Sequence, residues 1–181
     1  MQRTVTTPAD LSGDALEELK GWLGISRSQE DGQLTDLLGA SLAMCEAFTG
    51  QMPIEQTVEE WVPNTRGEHS IATRPVRSFL SAERVAQDGT RSTIDAEVYE
   101  FRIDASRTAC LSLDEALEGQ AIAVSFRAGL ASGWSAVPHA LKQGIIRLAA
   151  FHYRDRETGR DANPPASVTA LWRPWRVVRL T

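Results

Sequence analysis

Apolar residues recur at helical spacing in two stretches of the N-terminal part of the chain. The first stripe is bounded by Ser12 and Gly24, and the second by Glu30 and Gly50. A spacing of three and four residues places these side chains on one face of a helix. The pattern predicts helices over about 12–23 and 30–49. The stripes are Leu16, Leu19, Trp22 and Leu23, then Leu34, Leu38, Leu42 and Cys45.

From Gln56 to Gly129 the pattern changes to a period of two. Tyr99, Phe101 and Ile103 alternate with charged residues, and turn-forming pairs such as Asp88-Gly89 separate the apolar runs. Alternation with a period of two is typical of strands that bury one face. This region is therefore predicted to be an antiparallel, β-rich block over about 56–129, with Asp88-Gly89 at a hairpin tip.

Helical spacing returns in Leu141, Ile145 and Leu148, which predicts a third helix over about 137–157. Pro164-Pro165 cannot continue a helix, so a linker is expected there. The fold class is α+β: a small helix bundle drawn from both ends of the chain, with the β-rich block inserted. Residues 1–160 are expected to form one domain, and 161–181 a linker and an extended C-terminal arm.

The charge is unevenly distributed along the chain. The net charge is −5, but residues 162–181 contain three arginines and no acid, so the rest of the chain carries −8. An acidic body argues against a general nucleic-acid binder, which usually has a basic face.

The sequence carries no recognisable catalytic or ligand-binding motif. The sequence contains no phosphate-binding glycine loop, no G-x-S-x-G, no C-x-x-C and no H-E-x-x-H. Cys45 and Cys110 are interpreted as reduced structural thiols, and no metal, cofactor or catalytic residue is predicted. With neither a secretory signal nor an apolar run of about 20 residues, synthesis in the cytoplasm is expected.

The last eleven residues, LWRPWRVVRLT, combine two tryptophans and three arginines. One interpretation is a final strand or short helix folded onto its own domain. The other is an interaction segment, because Trp and Arg are enriched among binding hot spots and Pro174 rules out a long helix. The charged residues 154–161 are likewise either a solvated helix end or a contact between subunits.

In the order and spacing of several short motifs, the chain resembles head–tail connector (adaptor) proteins of long-tailed bacteriophages and gene transfer agents. The resemblance covers most of the chain. In the middle are Trp61, the RPV at Arg74 to Val76 and the FRAG at Phe126 to Gly129. The longer motifs are LEELKGWLGI, EDGQLTDLLGASLAMCEAFTG, VPHALKQGIIRLAAFHYRDRE and the terminal WRPWRVVRL.

The resemblance implies a structural, non-enzymatic virion component. Such subunits form a ring under the capsid portal, dodecameric in the particle, and join it to a tail-side ring called the stopper. DNA passes through the channel without specific binding. The protein would be made in the bacterial cytoplasm, assembled into the particle neck, and have no membrane partner. The alternatives are an interaction module that presents its Trp/Arg tail to an anionic membrane, and a small enzyme without a recognisable motif.

The resemblance also implies site residues. The C-terminal arm would dock into the portal ring, while the charged helix end and the hairpin tip would contact neighbouring subunits or the stopper. The portal-binding residues would be Leu171, Trp172, Arg173, Pro174, Trp175, Arg176, Val177, Val178, Arg179 and Leu180. The subunit or stopper contacts would be Asp88, Gly89, Arg154, Asp155, Arg156 and Arg160.

Overall fold

The computed structural model describes residues 2–155 and 164–177. The chain divides into two compact units, each built from two segments of sequence. The β unit comprises Met1–Pro8 and Glu55–Gly129, and the helical unit comprises Ala9–Ile54 and Leu130–Thr181. Four α-helices and two antiparallel sheets in the described residues confirm the predicted α+β class with an inserted β-rich block.

The helical unit is built around three helices predicted from the sequence. Their observed bounds are α1 Asp14–Leu23, α2 Asp31–Thr49 and α3 His139–Asp155. The predicted stripes form a common core in which Leu19, Leu38 and Leu141 have no exposed surface. Helices from the two ends of the chain therefore do pack together, as their apolar stripes require.

Both N-terminal helices end at a glycine in the left-handed conformation. Gly24 and Gly50 each have φ of 73°, a region that side chains with a Cβ rarely adopt. The structure also connects these helices through Lys20, which is 7% exposed and lies 2.9 Å from an Asp31 carboxylate oxygen.

The β unit contains two antiparallel sheets. The larger has the strand order β1-β2-β8-β4-β5, and the smaller has the order β3-β7-β6. Aromatic side chains join them, since the rings of Phe79 on β4 and Phe101 on β6 lie 4.7 Å apart. The strands are β1 Arg3–Thr7, β2 Gln56–Pro63, β3 Gly67–Ser70, β4 Val76–Val85, β5 Arg91–Thr93, β6 Tyr99–Ile103, β7 Ala109–Leu113 and β8 Ala121–Ala128.

Strand β1 is absent from the sequence prediction. It pairs antiparallel with β2, with Val5 opposite Val58, although all five of its residues are exposed. Because no face of the strand is buried, its side chains carry no alternating pattern. Main-chain hydrogen bonds to β2 determine its conformation instead.

The predicted extended arm is helical in its first part. After Pro164-Pro165 the chain forms α4, Ala166–Trp172, followed by a 3-10 turn over Arg173–Trp175. Val168 and Trp172 lie four residues apart, and both are buried. Pro174 excludes a long helix but allows a short one that ends before it, and this short helix has an apolar face to bury.

Candidate docking surface

Trp172 is a core residue of the helical unit. Its side chain has no exposed surface, and its indole Nε1 donates a hydrogen bond of 3.3 Å to the Leu141 carbonyl oxygen. The indole lies against Gly144 of α3, where an added Cβ would come within 2.7 Å of Cε2. The resemblance implied that Trp172 is a portal-binding residue. The structure instead places it inside its own subunit, because Gly144 leaves room for the ring.

The chain after Trp172 is attached to the C-terminal end of α2. Gln51 donates from Nε2 to the Trp175 carbonyl oxygen at 2.6 Å, and the Val177 amide donates to the Thr49 carbonyl oxygen at 2.8 Å. These two bonds use backbone groups that the end of a helix leaves unpaired. Trp175 is half-buried, whereas Arg173, Pro174, Arg176 and Val177 are exposed.

These contacts create a surface that we call the tail patch: Phe48, Arg173, Trp175, Arg176 and Val177. The Arg176 guanidinium carbon lies 5.6 Å from the centre of the Phe48 ring, close enough for a cation–π interaction. Neither Arg173 nor Arg176 makes an ion pair among the described residues. The patch therefore combines apolar surface with two cations whose charge is available to an acidic partner.

Three of the predicted portal-binding residues, Val178, Arg179 and Leu180, lie outside the described residues. So do Arg156 and Arg160 among the predicted subunit contacts. The structure thus brings Trp175, Arg176 and Val177 together with Phe48, a residue that the sequence analysis did not select. In the sequence, Phe48 lies near the end of the apolar stripe of α2. That position is equally typical of a core residue, so it did not indicate a role in a docking surface.

The predicted subunit or stopper contacts at the hairpin tip and at the end of α3 are exposed or half-buried. Asp88 and Gly89 form the turn between β4 and β5, as expected, and the Asp88 carboxylate accepts a hydrogen bond of 2.9 Å from the Thr90 amide. That bond to Thr90 lowers the pKa of the Asp88 carboxyl group. At the end of α3, Arg154 is exposed and Asp155 is half-buried.

A second polar cluster lies on one face of the larger sheet and was missed by the sequence analysis. Arg91 on β5 donates to both carboxylate oxygens of Glu59 on β2, at 2.6 and 2.9 Å. The Trp61 indole also donates to Glu59 at 2.9 Å. Glu59 is 8% exposed, and its pKa is lowered chiefly by the bonds from Arg91. The two residues are 32 positions apart and their strands are not neighbours in the sheet, so only the tertiary structure shows that they meet.

No group of three or more His, Cys, Asp or Glu side chains among the described residues is placed to hold a metal ion. Among the same residues, no helix combines the length and the apolar character that a membrane span requires.

Comparison of the sequence with family models and with curated proteins gives no match. Solved structures, in contrast, resemble the chain along its whole length. One is a chain in the neck of an empty gene transfer agent particle computed with C6 symmetry. It is 22% identical, has a TM-score of 0.78, and the match covers 100% of this chain and 98% of that one.

Two further matches come from native gene transfer agent particles, one from the virion and one from the neck computed with C12 symmetry. Each is 24% identical with a TM-score of 0.76, and covers 100% of this chain and 98% of the other. The matches cover the whole of this chain and so include both of its units. The chain therefore has the fold of protein chains from the neck of gene transfer agent particles.

Proposed function

We propose that this protein is a structural connector subunit in the neck of a phage-like particle such as a gene transfer agent. In this proposal it is a virion component without enzymatic activity. It forms a homo-oligomeric ring under the portal, a dodecamer in the particle, and joins the portal to the next tail-side ring, the stopper. DNA passes through the ring without specific binding.

The observation that carries the proposal is the end-to-end match of the fold. Both chains are covered almost completely, at 100% and 98%, so the resemblance is not limited to one common motif. The matched chains come from necks computed with C6 and C12 symmetry, which supports a ring of identical subunits for this chain as well.

For portal docking, the structure favours the part of the tail after Trp172. Arg173, Arg176 and Val177 are exposed and stand beside the half-buried Phe48 and Trp175. Trp172 would support this tail patch from beneath rather than enter the partner. An acidic, partly apolar groove on the portal fits such a patch, and many weak arms on one ring would act together through their high effective concentration.

The turn at Asp88-Gly89 is proposed as a contact with the stopper, because it is an exposed hairpin tip. The acidic body is proposed to line the channel, where negative charge would keep DNA from adhering. Serine substitutions of exposed acids test the second idea, since they should slow DNA ejection if those acids face the channel.

The direct experiment mixes the purified full chain with the portal ring of the same particle and follows the complex by light scattering behind a sizing column. A chain ending at Val177 and the double variant R173A/R176A test the tail. Truncation before Trp172 is unsuitable, because it would remove a core side chain. A matched control is R27A/R66A, which removes two exposed arginines that are not part of the tail patch.

We expect the full chain and R27A/R66A to join the portal, and the two tail variants to bind at least about tenfold more weakly. Equal binding by all four would contradict docking by the tail but leave a connector role open. No binding by any of them would contradict the connector role. It would also direct attention to the membrane and enzyme alternatives, for which liposome flotation is the first check.

A further inference from the structure

One face of α2 has no partner among the described residues of its own subunit, although it carries little charge. Its exposed positions are mostly alanine, and half-buried Leu37 and Met44 flank them. A helix that is apolar around most of its circumference is normally buried. We call this surface the α2 face, and it consists of Gln33, Asp36, Leu37, Ala40, Ala43, Met44 and Ala47.

The charges of α2 all have one sign. The helix contains Asp31, Asp36 and Glu46, and neither lysine nor arginine. Asp36 is exposed on the α2 face and makes no ion pair with another described residue. The face therefore offers apolar surface with a negative charge at its edge.

A groove of opposite character lies on α3, between α1 and α4. Trp22 at the end of α1 is 44% exposed, and the Arg147 guanidinium carbon lies 5.8 Å from the centre of its ring. Half-buried Phe151 and exposed Arg154 continue the surface along α3, and the open volume is about 490 Å³. We call this surface the α3 groove: Trp22, Arg147, Phe151, Arg154 and Ser167.

The α3 groove is lined by two arginines, Arg147 and Arg154, and by one acid, the half-buried Asp155, so its net charge is positive. Arg147 and Arg154 form no ion pair with any described residue. Lys142, the other base of α3 apart from its histidines, is already 3.9 Å from a Glu18 carboxylate oxygen. The groove thus combines an exposed aromatic ring with two arginines that form no ion pair among the described residues, a composition that is enriched at binding hot spots.

The two surfaces occupy different sides of the helical unit. The groove is lined by residues of α1, α3 and α4 and by none of α2. Residues of the α2 face point away from the stripe, including Leu34, Leu38 and Leu42, that α2 buries in the core. The α2 face of one subunit therefore cannot contact the α3 groove of the same subunit. It can contact the α3 groove of a second copy placed head to tail.

We infer that the α2 face of one copy binds in the α3 groove of the next copy. The occupant is a second copy because the same chain supplies both signs of charge and both apolar surfaces. Contact between two different faces is heterologous, and it forms a ring when the rotation between neighbouring copies closes. This inference rests on the proposed ring and assigns the residues that close it.

Crosslinking tests the assignment directly. Ala40→Cys lies on the α2 face and Ser167→Cys in the α3 groove, and both positions are exposed. Cys110→Ser removes the partly exposed native thiol, while Cys45 is buried. The full chain carrying both new cysteines is assembled on the portal ring, treated with a short bis-maleimide and analysed by denaturing electrophoresis. Each single-cysteine variant serves as a matched control.

We expect the double-cysteine chain to give a ladder of covalent multimers and the single variants to stay monomeric. Dimers from Ala40→Cys alone would overturn the inference, because they would show two α2 faces against each other. Assembly on the portal without a ladder would also overturn it, while the connector role would survive. A ladder without portal binding would support this interface and contradict the proposed function, and absence of both would contradict both.

Charge reversal provides a second measurement. Asp36→Arg, or R147D/R154D, should weaken ring formation by more than about tenfold, since like charges would face each other. Combining the reversals in one chain should restore part of the loss. Asp114→Arg, an exposed change in the β unit, is the matched control and should leave assembly unchanged. Unaltered assembly in both reversal variants would contradict the inference.

Discussion

At the scale of single residues, the contact between Trp172 and Gly144 places strict limits on substitution. The indole is fully buried, and the space for it exists only because position 144 has no Cβ. Trp175, three residues later, is half-buried, so only part of its side chain packs against the core. Two tryptophans with the same sequence context therefore have different roles.

This difference predicts unequal effects on stability. Trp172→Ala should lower the free energy of unfolding by about 3–5 kcal/mol, because it empties a large core site. Gly144→Ala should cost about 1–3 kcal/mol through overpacking against the indole. Trp175→Ala should cost about 1 kcal/mol, as expected for a partly exposed side chain. Urea unfolding followed by circular dichroism measures all three, and equal losses at Trp172 and Trp175 would refute the assignment.

The Glu59–Arg91 pair predicts a pH dependence with a defined sign. Arg91 lowers the pKa of the Glu59 carboxyl group in the folded protein. Stabilisation by this group is therefore fully present above the unfolded carboxyl pKa, about 4.3, and is lost as the pH falls through the lower folded value.

Arg91→Ala should remove this contribution. We expect a loss of roughly 1.5–3 kcal/mol at pH 7, the usual range for hydrogen bonds to a charged group, and a smaller loss at pH 3. The measurement is urea unfolding across that pH range, with Arg66→Ala as the control. A loss that stays constant with pH would show that the ion pair is not the cause.

At the scale of elements, replacing a glycine by alanine should have opposite effects on stability at a helix end and inside a helix. Gly24 ends α1 with φ of 73° and Gly39 lies within α2, and a Cβ at either position would meet no other atom within 4 Å. Any effect of alanine there comes from backbone conformation alone. Gly24→Ala should destabilise by about 1 kcal/mol, whereas Gly39→Ala should stabilise by up to about 1 kcal/mol.

Thermal unfolding of the two alanine variants checks this prediction, since each is the other's control. The prediction is confirmed only if the two variants change the stability in opposite directions. A loss of stability at Gly39 would mean that α2 does not tolerate a methyl group on that side, in conflict with the open space around it.

At the scale of the whole molecule, the proposed portal complex should depend on salt. The tail patch presents Arg173 and Arg176 without an ion pair among the described residues. Attraction between exposed charges is screened as the Debye length shortens. Raising salt from about 50 mM to about 500 mM should therefore weaken portal binding of the native chain more than that of R173A/R176A. Equal salt dependence in a sedimentation assay would place the electrostatic contact elsewhere.

Sequence patterns determined the helices, the inserted β-rich block and the α+β class. Helices α1 and α2 begin and end within two residues of their predicted bounds, because each has an apolar stripe and a terminating glycine, Gly24 or Gly50. Helix α3 begins within two residues of its predicted start. Local spacing is sufficient for such elements, since the period of the stripe specifies the conformation that can bury it.

The tertiary structure decided everything that depends on residues distant in sequence. Strand β1 exists because β2 supplies hydrogen-bonding partners, and Glu59 meets Arg91 although β8 and β4 lie between their strands. Trp172 became a core residue because Gly144, on another helix, left space for its ring. Composition alone made that tryptophan equally suited to an interface, and only the contact across the helical unit determined which role it has.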